Sequence, residues 1–235
     1  VAALILEPVL QNVGVVKPLP GYLEGLRELC DRYGTVLIFD EVKTGFRHAL
    51  GGYQAIAGVR PDLCTFGKAV ANGYPMGVVG GRREIMALCN DPDPGRRVII
   101  AGTYNGHPVN VAAARASLLR LKARERDVYS ELERLGARMQ AGIEAIFARR
   151  NYPTTFVRQG SAFALYFMDH APRNWRDIAL HNDNERDLAY RRAMIEAGVF
   201  HFPAATKQSS ISLAHTDDDI DRTLALTEDV VRTLG

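Results

Sequence analysis

Two short apolar runs stand out near the start of the chain, Ala2-Ala3-Leu4-Ile5-Leu6 and Val36-Leu37-Ile38-Phe39, the second closing on the acid Asp40. Continuous apolar runs of this length predict parallel strands buried on both faces. Between them Leu23, Leu26, Cys30 and Tyr33 recur at steps of three and four residues, after Pro20-Gly21 and before Gly34. That spacing predicts a helix with a glycine C-cap. Strand, helix and strand in this order predict a right-handed crossover of an α/β sheet. Two more strands are expected at Leu63–Phe66 and Met76–Val79, among the glycines Gly67, Gly73, Gly77, Gly80 and Gly81.

From Pro108 to Arg150 the pattern is helical, with Leu118, Leu119, Leu132, Leu135, Met139, Ile143 and Ile146 in register, and this stretch is expected to bridge two domains. After Asn151-Tyr152-Pro153 the texture becomes β-like over Thr154–Val157 and Ala162–Phe167, followed by a polar loop from Pro172 to Asn184. A helix at Glu185–Ala197, a strand at Ser210–Ala214 and an amphipathic helix at Asp217–Leu234 complete an α+β unit. Carboxylates favour helix N-termini, so Asp217-Asp218-Asp219 is read as a capping cluster rather than a metal site. The expected division is 1–125 and 126–235.

Hydrophobic residues make up 47% of the 235, enough for a globular core. The balance of 29 basic against 27 acidic residues, with no Lys/Arg tract interleaved with aromatics, argues against nucleic acid as a partner. Cys30, Cys64 and Cys89 are odd in number and lack metal-ligand spacing, so neither a disulfide framework, nor a metal site, is expected and a reducing cytoplasm fits. No apolar run reaches the roughly 18 to 20 residues that span a bilayer, so no membrane partner is expected. The chain begins on Val1 directly inside an apolar run, which predicts a fragment of a longer protein.

Asp40 sits at the carboxyl end of a predicted strand, the edge at which open α/β sheets bind ligands. A buried carboxylate there can keep a pyridine nitrogen protonated; a turn or capping acid is the more common use of such a residue. Lys68 follows Phe66-Gly67 and precedes Ala69-Val70, so burial would lower its pKa and leave a nucleophilic amine. An isolated lysine is far more often a solvated surface residue. The two residues carry weight only together.

The segment Leu37-Ile38-Phe39-Asp40-Glu41-Val42-Lys43-Thr44-Gly45-Phe46-Arg47 resembles a motif of the class III aminotransferases, and Pro61 to Gly77, centred on Gly67-Lys68-Ala69, resembles that family's lysine segment. The likeness extends to Leu6-Glu7-Pro8-Val9 through Asn12 and Gly14, to Ala101 through Pro108 and to Ser212 through Asp217, with glutamate-1-semialdehyde 2,1-aminomutase-like members the most similar. The resemblance implies a fold-type I, pyridoxal 5'-phosphate-dependent transferase: the C-terminal half of its large α/β domain, with a mostly parallel sheet, in 1–125, and a small C-terminal α+β domain in 126–235.

It further implies that Lys68 forms a Schiff base with the cofactor and carries a proton, that Asp40 pairs with the pyridinium nitrogen, and that Val42 packs on the ring. Gly102 and Thr103 would grip the cofactor phosphate of a neighbouring subunit, which implies a homodimer with shared active sites. Glu7 and Asn12 would form a supporting shell, although an ion pair at a strand end accounts equally for Glu7. Arg47 either orients the loop after Asp40 or is a surface residue, and His215 is read as structural. The implied reaction moves an amino group between an amino acid or amine and a keto acid or aldehyde. The aminomutase carries a glutamate where Lys207 stands here, which favours an aminotransferase over an aminomutase or racemase. A non-catalytic fragment is the third reading.

Overall fold

The computed structural model describes residues 1–234, which divide into two compact units: Val1–Pro8 with Pro20–Glu125, and Val9–Leu19 with the residues from Arg126 onward. Glu125 is the last residue of the first unit, and Val9–Leu19 groups with the second one. No local pattern in that segment announces which unit it will join.

The first unit is built on a four-stranded sheet in the order β1-β2-β3-β4, with β1 at Ala3–Leu6, β2 at Val36–Glu41, β3 at Leu63–Phe66 and β4 at Val78–Gly81. β1, β2 and β3 are parallel, with Leu6 beside Phe39 and Asp40 beside Thr65; β4 returns antiparallel and starts two residues later than the pattern predicts. β1 stands at the sheet edge, where it has a neighbour on one side only, and Ile5 is 61% exposed. Burial of this strand on both faces is therefore not met. In β2 the side chains alternate, with Leu37, Phe39 and Glu41 buried on one face and Val36, Ile38 and Asp40 half-buried on the other.

Helix α1, Tyr22–Tyr33, joins β1 to β2 and ends as predicted on Gly34, whose left-handed backbone (φ 62°) lets its N–H reach the Cys30 carbonyl. Asp62 ties the layer together: its carboxylate accepts from Leu37 N at 2.8 Å, Arg27 Nη1 at 2.9 Å and Arg82 Nη1 at 3.1 Å. Burial alone would raise this carboxyl's pKa, but the Leu37 N–H and the two guanidinium groups hold it below the usual range. Two short helices follow, α2 at Tyr53–Ala57 and α3 at Arg83–Met86, and α4 spans Pro108–Ala123 with proline in its first turn.

The second unit packs α5, Glu125–Phe147, against a three-stranded sheet of β5 (Thr155–Gln159), β6 (Ala162–Tyr166) and β7 (Ser209–Ser210), with α6 at Trp175–His181, α7 at Asn184–Glu196 and α8 at Asp217–Thr233. Leu135, Met139, Ile143 and Phe147 of α5 enter one core with Phe156, Phe167, Met194, Ile211, Ile220 and Val231. The four-residue spacing of the α5 side chains places them on one helix face. Tyr166 is fully buried, accepting from Val15 N at 2.7 Å and donating to the Val13 carbonyl at 3.2 Å. A side chain at Gly14 (φ 98°) would overlap the Tyr166 hydroxyl, so glycine is required there.

Two expectations shift. The strand expected at Ser210–Ala214 is only Ser209–Ser210, because Ser212 turns to donate its N–H to His215 Nδ1 at 3.1 Å. The polar stretch Pro172–Asn184 contains α6, whose one buried side chain, Ile178, leaves too faint an apolar stripe to read. The acidic start of α8 is a cap, with Thr216 as N-cap in a reciprocal box with Asp219, while Asp217 pairs with Arg134 at 2.9 Å and Arg138 at 3.1 Å.

Candidate active site

Because β2 and β3 run parallel, their carboxyl ends open on the same edge of the first unit's sheet. Asp40 lies on that edge, half-buried, and its Oδ1 accepts from Thr65 Oγ1 and from Val42 N, each at 3.0 Å. Neither bond reaches Oδ2. The carboxylate is thus oriented through one oxygen while the other is not engaged by these groups. Glu7 follows Leu6, the residue in register with Phe39, and is half-buried at the same edge.

The adjacent acid does a different job. Glu41 is fully buried on the opposite face and accepts from Thr44 Oγ1 at 2.9 Å, Tyr53 N at 2.5 Å and both the backbone and side-chain amides of Gln54 at 3.2 Å. It organises the loop from Val42 to Tyr53. A Cβ at Gly52 (φ 74°) would stand 2.6 Å from both Glu41 carboxylate oxygens, so this loop closes only on glycine. Sequence reasoning missed Glu41 and Thr65 as supports of Asp40's surroundings; strand alternation was the signal that separated the two acids. Cys64 beside Glu41 is inert, its thiol pushed up to about 11 by burial and then by the Glu41 charge.

Beyond β3, Gly67 is extended and Lys68 adopts a left-handed backbone (φ 46°) at the start of a short 3-10 turn through Val70. For a residue bearing a side chain this conformation costs about 1 kcal/mol or more, and such strain concentrates at sites where chemistry fixes the residue type. A Cβ on Gly67 would come within 3.2 Å of Val42 Cγ1, so glycine lets the Val42 side chain approach the lysine turn. Val42, Arg47, Phe66 and Lys68 line one open depression of about 640 Å³. The expected desolvation of Lys68 is not met: the side chain is exposed on the rim of that depression.

Gly102 and Thr103 are exposed, leading into the turn before α4, where Asn105 N donates to the Gly102 carbonyl at 3.0 Å. Tyr104, Asn105 and His107 of that turn line a second depression, of about 550 Å³, which shares Pro75, Met76 and Gly77 with the first. Asn12 belongs to the second unit, exposed, its carbonyl accepting from Lys207 Nζ at 2.9 Å. Within the first unit the structure therefore gathers Asp40, Val42, Lys68 and Glu7 at one sheet edge, while Gly102 and Thr103 lie in the turn before α4 and Asn12 belongs to the other unit. His215 accepts from Ser212 in an exposed turn, a structural use.

A sheet of this topology, with an acid and a strained lysine at the carboxyl ends of adjacent strands, defines an α/β transferase-like domain. The sequence profile described as "Aminotransferase class-III" matches residues 1–230, and the chain belongs to that family. It is 43% identical over 223 residues to glutamate-1-semialdehyde 2,1-aminomutase 2 of Brevibacillus brevis, a match covering 95% of this chain and 51% of that protein. It is 40% identical over 234 residues to the glutamate-1-semialdehyde 2,1-aminomutase of Syntrophus aciditrophicus, covering 100% of this chain and 53% of that one. Among solved structures, an omega-transaminase from Sphaerobacter thermophilus superposes with a TM-score of 0.86 at 28% identity, over 99% of this chain and 52% of that one. A Pseudomonas aeruginosa glutamate-1-semialdehyde aminomutase in complex with PMP gives 0.87 at 28%, over the same shares. The chain spans about half the length of the relatives it matches. Among the described residues, no helix is long and apolar enough to cross a membrane.

Proposed function

We propose that this chain carries the lysine-bearing part of a pyridoxal 5'-phosphate-dependent aminotransferase acting between an amino acid or amine and a keto acid or aldehyde. The observation that carries the reading is the pair at the sheet edge: Lys68, held left-handed after β3, and Asp40, with one carboxylate oxygen occupied and the other unengaged by Thr65 and Val42. These residues fit the cofactor, since a protonated ring nitrogen needs a carboxylate partner and the ring needs an apolar face. When bound, pyridoxal phosphate withdraws the electron pair released at the substrate carbon.

The chain's own residues do the rest. Asp40 holds a proton on the ring nitrogen, and the hydrogen bonds to its Oδ1 keep that carboxylate in place. Lys68 would anchor the cofactor through its Nζ and, as a free amine, would take the proton from the substrate carbon. Val42 packs on the ring and excludes water. Thr103 and Gly102, exposed in their turn, bind the phosphate in a second subunit through a hydroxyl and an N–H, which makes the active protein a homodimer. Glu7, half-buried after β1, supports the edge beside Asp40. The first unit then serves as the cofactor-bearing part of a large domain and the second as a small C-terminal domain. With Cys30, Cys64 and Cys89 all free, the cytoplasm is the compartment that suits the protein.

An aminomutase is the second reading, favoured by the names of the relatives at 40 and 43% identity. Assay of the full-length protein separates the two: a transaminase consumes one keto acid or aldehyde for each amine it deaminates, whereas a mutase isomerises a single substrate with no acceptor present. Turnover that survives Lys68→Ala undiminished would exclude both.

A further inference from the structure

We infer that the second unit carries a binding site for a divalent transition metal of the zinc class, formed by His170, Asp177 and His181. The sequence pattern predicts no metal site, and these residues lie far from the sheet edge in the chain. Asp177 and His181 are four residues apart on α6 and so share one helix face, while His170 comes from the loop that leads into it. One donor atom from each residue lies within 4.8 Å of the other two. His170 Nε2 is 3.1 Å and His181 Nδ1 3.0 Å from the same oxygen, Asp177 Oδ1. Ligands bound tetrahedrally at about 2.0–2.1 Å are separated by about 3.3 Å, a separation that both distances to Asp177 Oδ1 approach.

The surroundings orient the donors. Asp177 Oδ2 accepts from Arg173 N at 3.0 Å and Asn174 Oδ1, the helix N-cap, accepts from Asp177 N at 2.9 Å, so one carboxylate oxygen is occupied while the other faces the imidazoles. Asp169 Oδ1 lies 2.6 Å from His170 Nδ1. A carboxylate on the far nitrogen of a ligating histidine is the recurring outer partner of zinc ligands. Two imidazoles and one carboxylate favour zinc or cobalt over calcium or magnesium, which take oxygen donors. Three protein ligands leave a position for water. Because the ligands straddle the start of α6, bound metal would staple residues 169–181.

The test uses the full-length protein stripped of metal with a chelator, titrated with Zn²⁺ by calorimetry and with Co²⁺ by visible absorption. One ion per chain is expected, with the intense d–d absorption of a low-coordinate cobalt site. His170→Ala and His181→Ala should each weaken Zn²⁺ binding at least tenfold, and Asp169→Asn, which removes no ligand, by roughly 10- to 100-fold. His215→Ala, a histidine in a different turn, should leave binding unchanged. Circular dichroism confirms that the variants are folded, and Asp177 is left intact because it also caps the helix. Unchanged affinity in the His170→Ala/His181→Ala double variant, or no saturable binding by the parent protein, would overturn the site. Equal binding of Ca²⁺ or Mg²⁺ would also count against the imidazole ligands.

Discussion

The two units differ in how each satisfies its own apolar surface. In the second, fourteen buried residues form one cluster from α5, β5, β6, α7, α8 and the residues beside them, and Phe147, Phe167 and Tyr190 lie with ring centroids 5.9 Å apart in every pairing. In the first, the cluster around the lysine turn holds only Val70, Ala71 and Ala114 as buried members, while Val98, Ile99, Ile100, Tyr104, Val109 and Val111 are exposed. Val98, Ile99 and Ile100 are consecutive, so the first unit carries a short exposed apolar run. The lesson is that the functional edge sits where the first unit's apolar core, with Leu23, Cys30, Leu37 and Phe39 buried, gives way to buried polar networks at Asp62 and Glu41.

That contrast can be broken experimentally. Leu135 is fully buried on α5, so Leu135→Ala should cost about 2–5 kcal/mol, read as a lowered urea midpoint, because its neighbours close around it from several elements. A loss under 1 kcal/mol would mean that the second unit's core is loose. Glu41→Ala should cost about 2–3 kcal/mol in the first unit, since Tyr53 N and Gln54 N lose their acceptor, and should increase hydrogen exchange across 42–54. If exchange there is unchanged, the loop does not depend on that carboxylate.

Acid should act on the second unit through His201, whose pKa burial and then Arg191 lower from 6.5 to about 4. The unfolded histidine binds a proton below about pH 6.5 while the folded one resists until about 4, so its stabilising effect is complete above that window and lost as pH falls through it. His201→Gln should flatten the pH dependence of the second unit's unfolding between those values. The smallest effect is expected at Ile99, 80% exposed: Ile99→Ser should change stability by no more than about 0.5 kcal/mol while reducing self-association.

Asp40 and Lys68 were legible jointly, through the motifs that embed them; α1 and α5 were legible because three- and four-residue spacing writes a helix, although Tyr33 of α1 is exposed. The left-handed backbone of Lys68 was not, since nothing in Phe66-Gly67-Lys68 tells which of two adjacent residues turns left. Its exposure was missed for a related reason: a strand predicts burial only when something covers its end. Helix α6 escaped because it is only seven residues long and buries Ile178, while its other large apolar residues, Trp175 and Leu180, are exposed. Pairing of His170 with Asp177 and His181 depends on that helix and was hidden with it.

The central claim is that Lys68 is the cofactor lysine. Borohydride reduction of the full-length protein loaded with pyridoxal 5'-phosphate, followed by peptide mapping, tests it directly. The account predicts a single stable label on Lys68 that disappears in Lys68→Arg; a label on Lys17, Lys43, Lys122 or Lys207 instead, or none at all, would contradict it.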